Sequence, residues 1–304
     1  MTERITNAML SATTLRDVNS SLAALQRSSA ELSSGKTILE PSDNPYGASH
    51  AIDLQSQLDG LDAFAKSTED GVGWANGSES AMASMSEAVQ RVRTLVVQAS
   101  NGTLNAGDLK NIAAEVTQLS ESIKQAANTQ YAGQYIFAGA LTTTRPYPQG
   151  ESDEYQGDAG TIARSIGPGA SVTINSNISS LLGDGQASKD GKLLDALRTI
   201  AQHLGEGTPE AKAALNSSDL KALDANAETL AGLQASNGST TVQLHATKNR
   251  IESMQTSLTA ALSSTEDADF AKTSMAYSNE RAAYEAALRA GASIIQESLL
   301  NFLH

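Results

Sequence analysis

The chain has no cysteine in its 304 residues, which excludes disulfide frameworks, thiolate zinc sites and cysteine nucleophiles. Proline is scarce. Pro41, Pro45, Pro146, Pro148, Pro168 and Pro209 leave 46–145 and 210–304 proline-free, so long helices are permitted there and not in the middle. Aromatics make up only 4% of residues, with alanine, serine and threonine dominant; small side chains suit thin, closely packed helices better than one bulky centre. No window approaches the ~20 apolar residues that would span a bilayer. Residues Met1 to Asn7 carry no apolar run of the kind found in a cleaved signal peptide. Basic residues are outnumbered 21 to 34, for a formal net charge of -13. Such a balance repels phosphate backbones and anionic lipid, so neither nucleic acid nor membrane is an expected partner.

What the sequence does contain is heptad patterning at both ends. Leu15, Val18, Leu22, Leu25, Ser29 and Leu32 recur in alternating steps of three and four, with Ser29 the one polar lapse. Gly35 stands where a left-handed cap would end this helix. Asn44 is placed to cap a second one, with Pro45 at its first position. That helix is expected to run towards Ser100, disturbed around Gly71-Val72-Gly73-Trp74, with Trp74 in the core at the kink. Met82, Met85, Val89, Val92 and Val96 form its clearest seam. Asn101-Gly102 marks a turn, and Asn105 with Asp108 has capping-box spacing before a helix carrying Ile112, Val116, Leu119 and Ile123.

From about Leu141 the pattern changes. Tyr147, Tyr155, Ile162, Ile166, Val172, Ile174 and Ile178 are scattered among glycine, proline and aspartate, which fits short strands to about Ser188. A short amphipathic helix is expected over 193–204, closed by Gly205 and Gly207. Two further seams follow: Leu244 through Ala261, then Phe270, Ser274, Tyr277, Arg281, Tyr284, Leu288, Gly291 and Ile295, with Phe302 in phase. Glu266, Asp267 and Asp269 between them suit a helix start. Asn237-Gly238 reads locally as a turn and marks an expected weak point in the returning helix. The fold class expected is mainly α: an elongated rod of long antiparallel helices formed by both chain ends, with a small β-rich insert at its tip. The expected divisions are a terminal coiled-coil region (1–45 with 262–304), a helical rod domain (46–140 with 208–261), and a variable insert with one short helix (141–207).

Several motifs, in order, resemble the flagellin superfamily. Arg4-Ile5-Thr6, Leu32-Ser33-Ser34-Gly35-Lys36 and Pro41-Ser42-Asp43-Asn44-Pro45-Tyr46-Gly47-Ala48 are similar to the N-terminal region of flagellins and hook-associated proteins. Gln98 to Thr103 and Ile112 to Leu119 resemble the superfamily's central helices and turn. Gly133-Gln134-Tyr135-Ile136-Phe137-Ala138-Gly139 and the stretch from Tyr284 to Leu303 resemble its hook-associated members more closely. The likeness covers roughly the first 140 and last 75 residues, leaving the insert as the variable part.

The resemblance implies a structural protein of the bacterial flagellum, assembling as a ring at the hook–filament junction and seating the first flagellin subunits. A filament-forming flagellin is the alternative. It further implies export through the flagellar type III apparatus without signal-peptide cleavage, to an extracellular position. The implied partners are neighbouring copies of itself, the other hook-associated junction protein, flagellin, and a cytosolic export chaperone at the C-terminal region. The terminal helices would line the inner tube. Their seams supply the candidate assembly residues Leu15, Val18, Leu22, Leu25, Leu32, Tyr277, Tyr284, Leu288, Ile294, Ile295, Leu299, Leu300, Phe302 and Leu303. Arg91, Leu95 and Glu115 lie in helices resembling the region by which flagellins engage an innate immune receptor, and are a candidate receptor-like surface.

No catalytic constellation emerges, and no cofactor or metal is implied. His50, His203, His245 and His304 lack ligand spacing and read as surface residues. Gly167-Pro168-Gly169 is a turn, without the strand and helix a phosphate loop needs.

Overall fold

The structure, a computed structural model, describes residues 7–100, 104–150, 152–185 and 188–302, the side chains of Asn7, Ala8, Leu10 and 294–302 excepted. It is mainly α-helical. In chain order the elements are α1 (Asn7–Ser34), α2 (Pro45–Ser100), α3 (Ala106–Ala127), β1 (Gln130–Tyr131), β2 (Gln134–Tyr135), β3 (Ala163–Gly167), β4 (Ala170–Thr173), α4 (Ser179–Leu182), α5 (Leu193–Glu206), α6 (Pro209–Ala214), a π-helical turn (Leu215–Asp219), α7 (Leu220–Glu266) and α8 (Phe270–Phe302). These form two compact units, one from residues 1–60 and 254–304, the other from 61–253.

In the first unit α1 and α8 pair antiparallel, as the facing of Ser28 with Glu280 and of Thr14 with Gly291 requires. Gly35, at φ +71°, ends α1 by donating to Glu31 O at 2.9 Å. The next residues are sewn to the α7–α8 connection: Thr37 N donates to Glu266 O (2.7 Å) and Ala268 N to Gly35 O (2.8 Å). Lys36 Nζ adds an ion pair to Glu266 at 2.7 Å. Asp43 then folds the loop. Its Oδ2 accepts from Leu39 N and Glu40 N, and these bonds hold its carboxyl below the ordinary aspartate range. Asn44 caps α2 by accepting from Gly47 N at 3.0 Å, with Pro45 at the first helical position.

The acidic run is divided between two helices. Glu266 closes α7, Asp267 bridges to Lys36, and Asp269 alone caps α8, accepting from Ala271 N and Lys272 N.

The second unit holds the core. Met82, Met85, Val92 and Val96 of α2 are fully buried with Leu109, Val116 and Ile123 of α3, Leu197, Ile200 and Leu204 of α5, and Leu223, Leu230 and Leu244 of α7. The Asn105–Asp108 capping box opens α3 with both hydrogen bonds made. The Asn101-Gly102 turn lies outside the described residues.

An expected disturbance is absent, and an expected weak point is helical. Helix α2 passes unbroken through Gly71–Trp74, because its glycines are contact points: a Cβ on Gly73 would stand 2.2 Å from the Tyr131 hydroxyl oxygen. Trp74, fully buried, packs edge-on against the same tyrosine. Helix α7 likewise continues through Asn237-Gly238. Asn237 is buried, and its Nδ2 donates to Ala75 O (3.0 Å) and Glu79 Oε2 (3.2 Å), so packing against α2 overrides the local turn preference.

In 141–207 the strands amount to one hairpin, β3–β4, bulged between Ser165 and Gly167. Side chains satisfy much of the remaining backbone in place of a ladder. Asp158 Oδ1 accepts from Ala140 N and Gly160 N, and Asn175 bridges Ile162 N to Gly160 O. Helix α5 extends past Gly205 to Glu206, and Gly207 alone caps it.

Two phenols tie this segment down. Tyr147 donates to Gly183 O at 2.7 Å, and the Tyr155 hydroxyl lies 2.9 Å from Phe137 O and 3.1 Å from Asp158 O. Burial first, and then Asp158 and Asp184, pushes the Tyr155 phenol up to about 12. Burial also raises Tyr147. The folded state therefore favours the neutral phenols. Their contribution is complete below the unfolded tyrosine value of about 10 and is lost as pH rises through about 12. Melting temperature followed upward from neutral pH is expected to fall above pH ~10, less steeply in Tyr155→Phe than in the parent chain. Parallel curves would show that the phenol does not carry the alkaline loss.

Candidate assembly surface

The α1–α8 pair differs from the rest of the fold in what it leaves uncovered. Among the described side chains of these two helices, the buried residues are Ser28, Thr273 and Gly291, none of them a large apolar group. Val18, Leu22, Leu25, Leu32, Tyr277 and Tyr284 are only half-buried, whereas Leu15 is 63% exposed, Met275 63% and Leu288 44%. A soluble two-helix pair that meant to stand alone would close its seam. Two helices contribute too little apolar cover to do so.

The polar contact at the seam centre is Ser28, which donates to the Glu280 carboxylate. Ser29, the lapse seen in the heptad, is exposed instead. Ser28 carried no signal in the periodicity, since a serine one position off the seam is indistinguishable from a surface serine until the partner helix is placed. Near one end, Thr14, Leu15 and Val18 of α1 and Leu288, Gly291 and Ala292 of α8 line a groove of about 320 Å³. Gly291 makes it: a Cβ there would meet Thr14 Cγ2 at 3.1 Å, so the glycine sets how closely the helices approach. Ile294, Ile295, Leu299, Leu300 and Phe302 continue α8, their side chains undescribed, and Leu303 lies outside the described residues.

The candidate receptor-like residues separate. Arg91 and Glu115 form an ion pair across α2 and α3 at 2.7 Å, both partly exposed. Leu95 is 2% exposed and belongs to the core between those helices, so it offers no surface contact. Of the histidines, His203 is not a free surface residue; its Nδ1 lies 2.6 Å from Oδ2 of the buried Asp219 in the π-helical turn. Among the described residues no group of His, Asp and Glu could hold a metal ion, and no helix is long and apolar enough to cross a membrane.

Residues 5–142 match the model of the bacterial flagellin N-terminal helical region, and 220–303 match that of the bacterial flagellin C-terminal helical region. Flagellar hook-associated protein 3 of Escherichia coli is 28% identical over 172 residues, 56% of this chain and 54% of that protein, so the chain spans about half the length of this relative. Flagellin of Bacillus subtilis is 28% identical over 283 residues, 88% of each chain. In fold, FlgL of Bacillus cereus superposes with a TM-score of 0.60 at 21% identity, over 69% of this chain and 99% of that one. The two matched regions stand in order on either side of an unmatched middle, and together they take in α1 to α3, α7 and α8: the chain belongs to the flagellin superfamily.

Proposed function

We propose that this chain is the junction subunit of a bacterial flagellum, forming a ring between hook and filament and seating the first flagellins. It is a flagellar structural component, and α1 with α8 is the part that assembles. The reading rests on one observation above others: among their described side chains the terminal helices bury none of their heptad leucines and tyrosines, whereas the 61–253 unit buries a full core. Covering such side chains between neighbours is worth roughly 1.5–3 kcal/mol for each one fully buried. In this reading residues 1–45 with 262–304 line the inner tube, 46–140 with 208–261 form the helical body, and 141–207 faces outward. Neighbouring copies, the other hook-associated junction protein and flagellin supply the contacts. Export follows the flagellar type III route, with a cytosolic chaperone shielding the C-terminal apolar stretch. The chemistry is that of packing, not catalysis.

Deleting the gene is expected to leave hooks without filaments while flagellin accumulates in the medium, with both defects restored by the gene in trans. Intact filaments on the deletion strain would overturn the assignment. The reading as filament subunit is favoured by the match to Bacillus subtilis flagellin along 88% of both chains. Purified protein separates the two: a filament subunit elongates when seeded with filament fragments, and a junction subunit stays monomeric alone.

A further inference from the structure

The 61–253 unit carries a second concave site with a chemistry unlike the apolar groove. A cleft of about 340 Å³ lies where the end of α3 meets the β1–β2 hairpin and the segment beyond it, lined by Gln125, Asn128, Gln130, Tyr135, Arg145 and Gln149. The chain holds 34 carboxylates, yet among the described residues none lines this cleft. Among the described residues of this unit Arg145 and Arg250 make no ion pair, whereas Arg91, Arg93, Arg164 and Arg198 are paired with carboxylates. Arg145 lies beside Tyr135 and is the first cause holding that phenol below its ordinary value, with Gln130 contributing. The phenol can both donate and accept a hydrogen bond. Asn128 is held rigid, giving Nδ2 to Tyr147 O (2.6 Å) and accepting from Tyr147 N (3.0 Å), with one N–H and one lone pair to spare.

An unpaired guanidinium presents a planar fork that matches a carboxylate. Amide side chains both donate and accept, which matches hydroxyl groups and is wasted on a simple anion that only accepts. The volume is at the small end of ligand sites, suited to a small ligand. We propose that this cleft binds a carboxylate-bearing sugar, a uronic acid, with Arg145 on the carboxylate and Tyr135 and the glutamine amides on the ring hydroxyls.

Titration of the full chain with glucuronate, glucose and acetate, followed by nitrogen–proton NMR of the arginine and glutamine side chains, tests this. Glucuronate is expected to bind saturably, and glucose and acetate each roughly tenfold more weakly or worse, since each lacks half of the recognised groups. Arg145→Gln is expected to cut glucuronate affinity by roughly tenfold or more, while Arg91→Gln leaves it unchanged. Arg145 is exposed and unpaired, so its variant should keep the parent circular dichroism. An oligosaccharide ending in glucuronate that binds at least as well assigns the cleft to glycan ends, and binding of the monosaccharide alone assigns it to free sugar acids. Acetate binding as tightly as glucuronate would reduce the site to an adventitious ion only. Glucuronate binding undiminished in Arg145→Gln would overturn the proposal.

Discussion

A double variant, Leu15→Asp with Leu288→Asp, is expected to fold as the parent does and yet fail to support any filament. Both side chains are already largely in water in the isolated chain, 63% and 44% exposed, so neither substitution opens a cavity or strands a charge there. In an assembly that closes the groove, two carboxylates would be carried out of water with no basic side chain lining it to receive them. An unpaired buried charge costs several kcal/mol, and in a ring the cost recurs at every subunit contact. Val242→Asp is the matched control: it is 70% exposed on α7, outside the α1–α8 pair, and should leave motility normal. Circular dichroism melting of the purified variants checks that they fold, and electron microscopy of the complemented deletion strain counts filaments. Normal filament numbers on the double variant would show that the groove faces solvent in the assembled state.

The second large effect lies in the 61–253 unit. Gly139→Ala is expected to destabilise that unit by roughly 2–5 kcal/mol, the sum of a left-handed backbone occupied by an L side chain and an overpacked contact. Gly139 has φ +70°, and an added Cβ would stand 2.2 Å from the Asp158 carbonyl oxygen and 2.1 Å from its Oδ1. The obstacle is backbone, so it cannot rotate aside. Shifting it breaks the clasp in which Asp158 N donates to Ala138 O and Asp158 Oδ1 accepts from Ala140 N and Gly160 N. Ile136, Phe137 and Ala138, all fully buried, lie directly before it. Gly133 makes the comparison sharp. Its φ is +79°, but nothing lies within 4 Å of an added Cβ, so Gly133→Ala should cost only the backbone share, about 1–2 kcal/mol. Urea melts of the two variants measure the difference. Equal losses would mean that the Asp158 clasp yields easily and that φ alone sets the cost.

That pair of glycines also shows where reading residues one at a time runs out. The Tyr135–Gly139 run drew attention as a motif, but its reason is a loop eighteen or more residues further on, and no periodicity reports such a contact. The same holds for Gly73. In the sequence it is a helix breaker; in the fold it is the gap that admits the Tyr131 ring, so the glycine that suggested a kink is what permits an unbroken helix. Leu95 went to the core, while the family likeness had made it part of a candidate surface.

The sequence alone determined the large-scale plan. Proline-free ends with three-and-four spacing specify long helices, because backbone hydrogen bonding within a helix is local and the spacing names the buried face. Caps at Gly35, Asn44 and Asn105 were legible for the same reason, each depending on neighbours within four residues. Only the tertiary structure decided which seams were filled. Among the described side chains the seams of α2 and α3 are buried, whereas those of α1 and α8, interrupted at Ser29, Ser274, Arg281 and Gly291, are left half-covered. Burial depends on how many other surfaces arrive, and α1 packs chiefly against α8, whereas α2 and α3 share one core with α5, α7 and the segment beyond Leu141. The unfilled seam is the surface that the proposed assembly would cover.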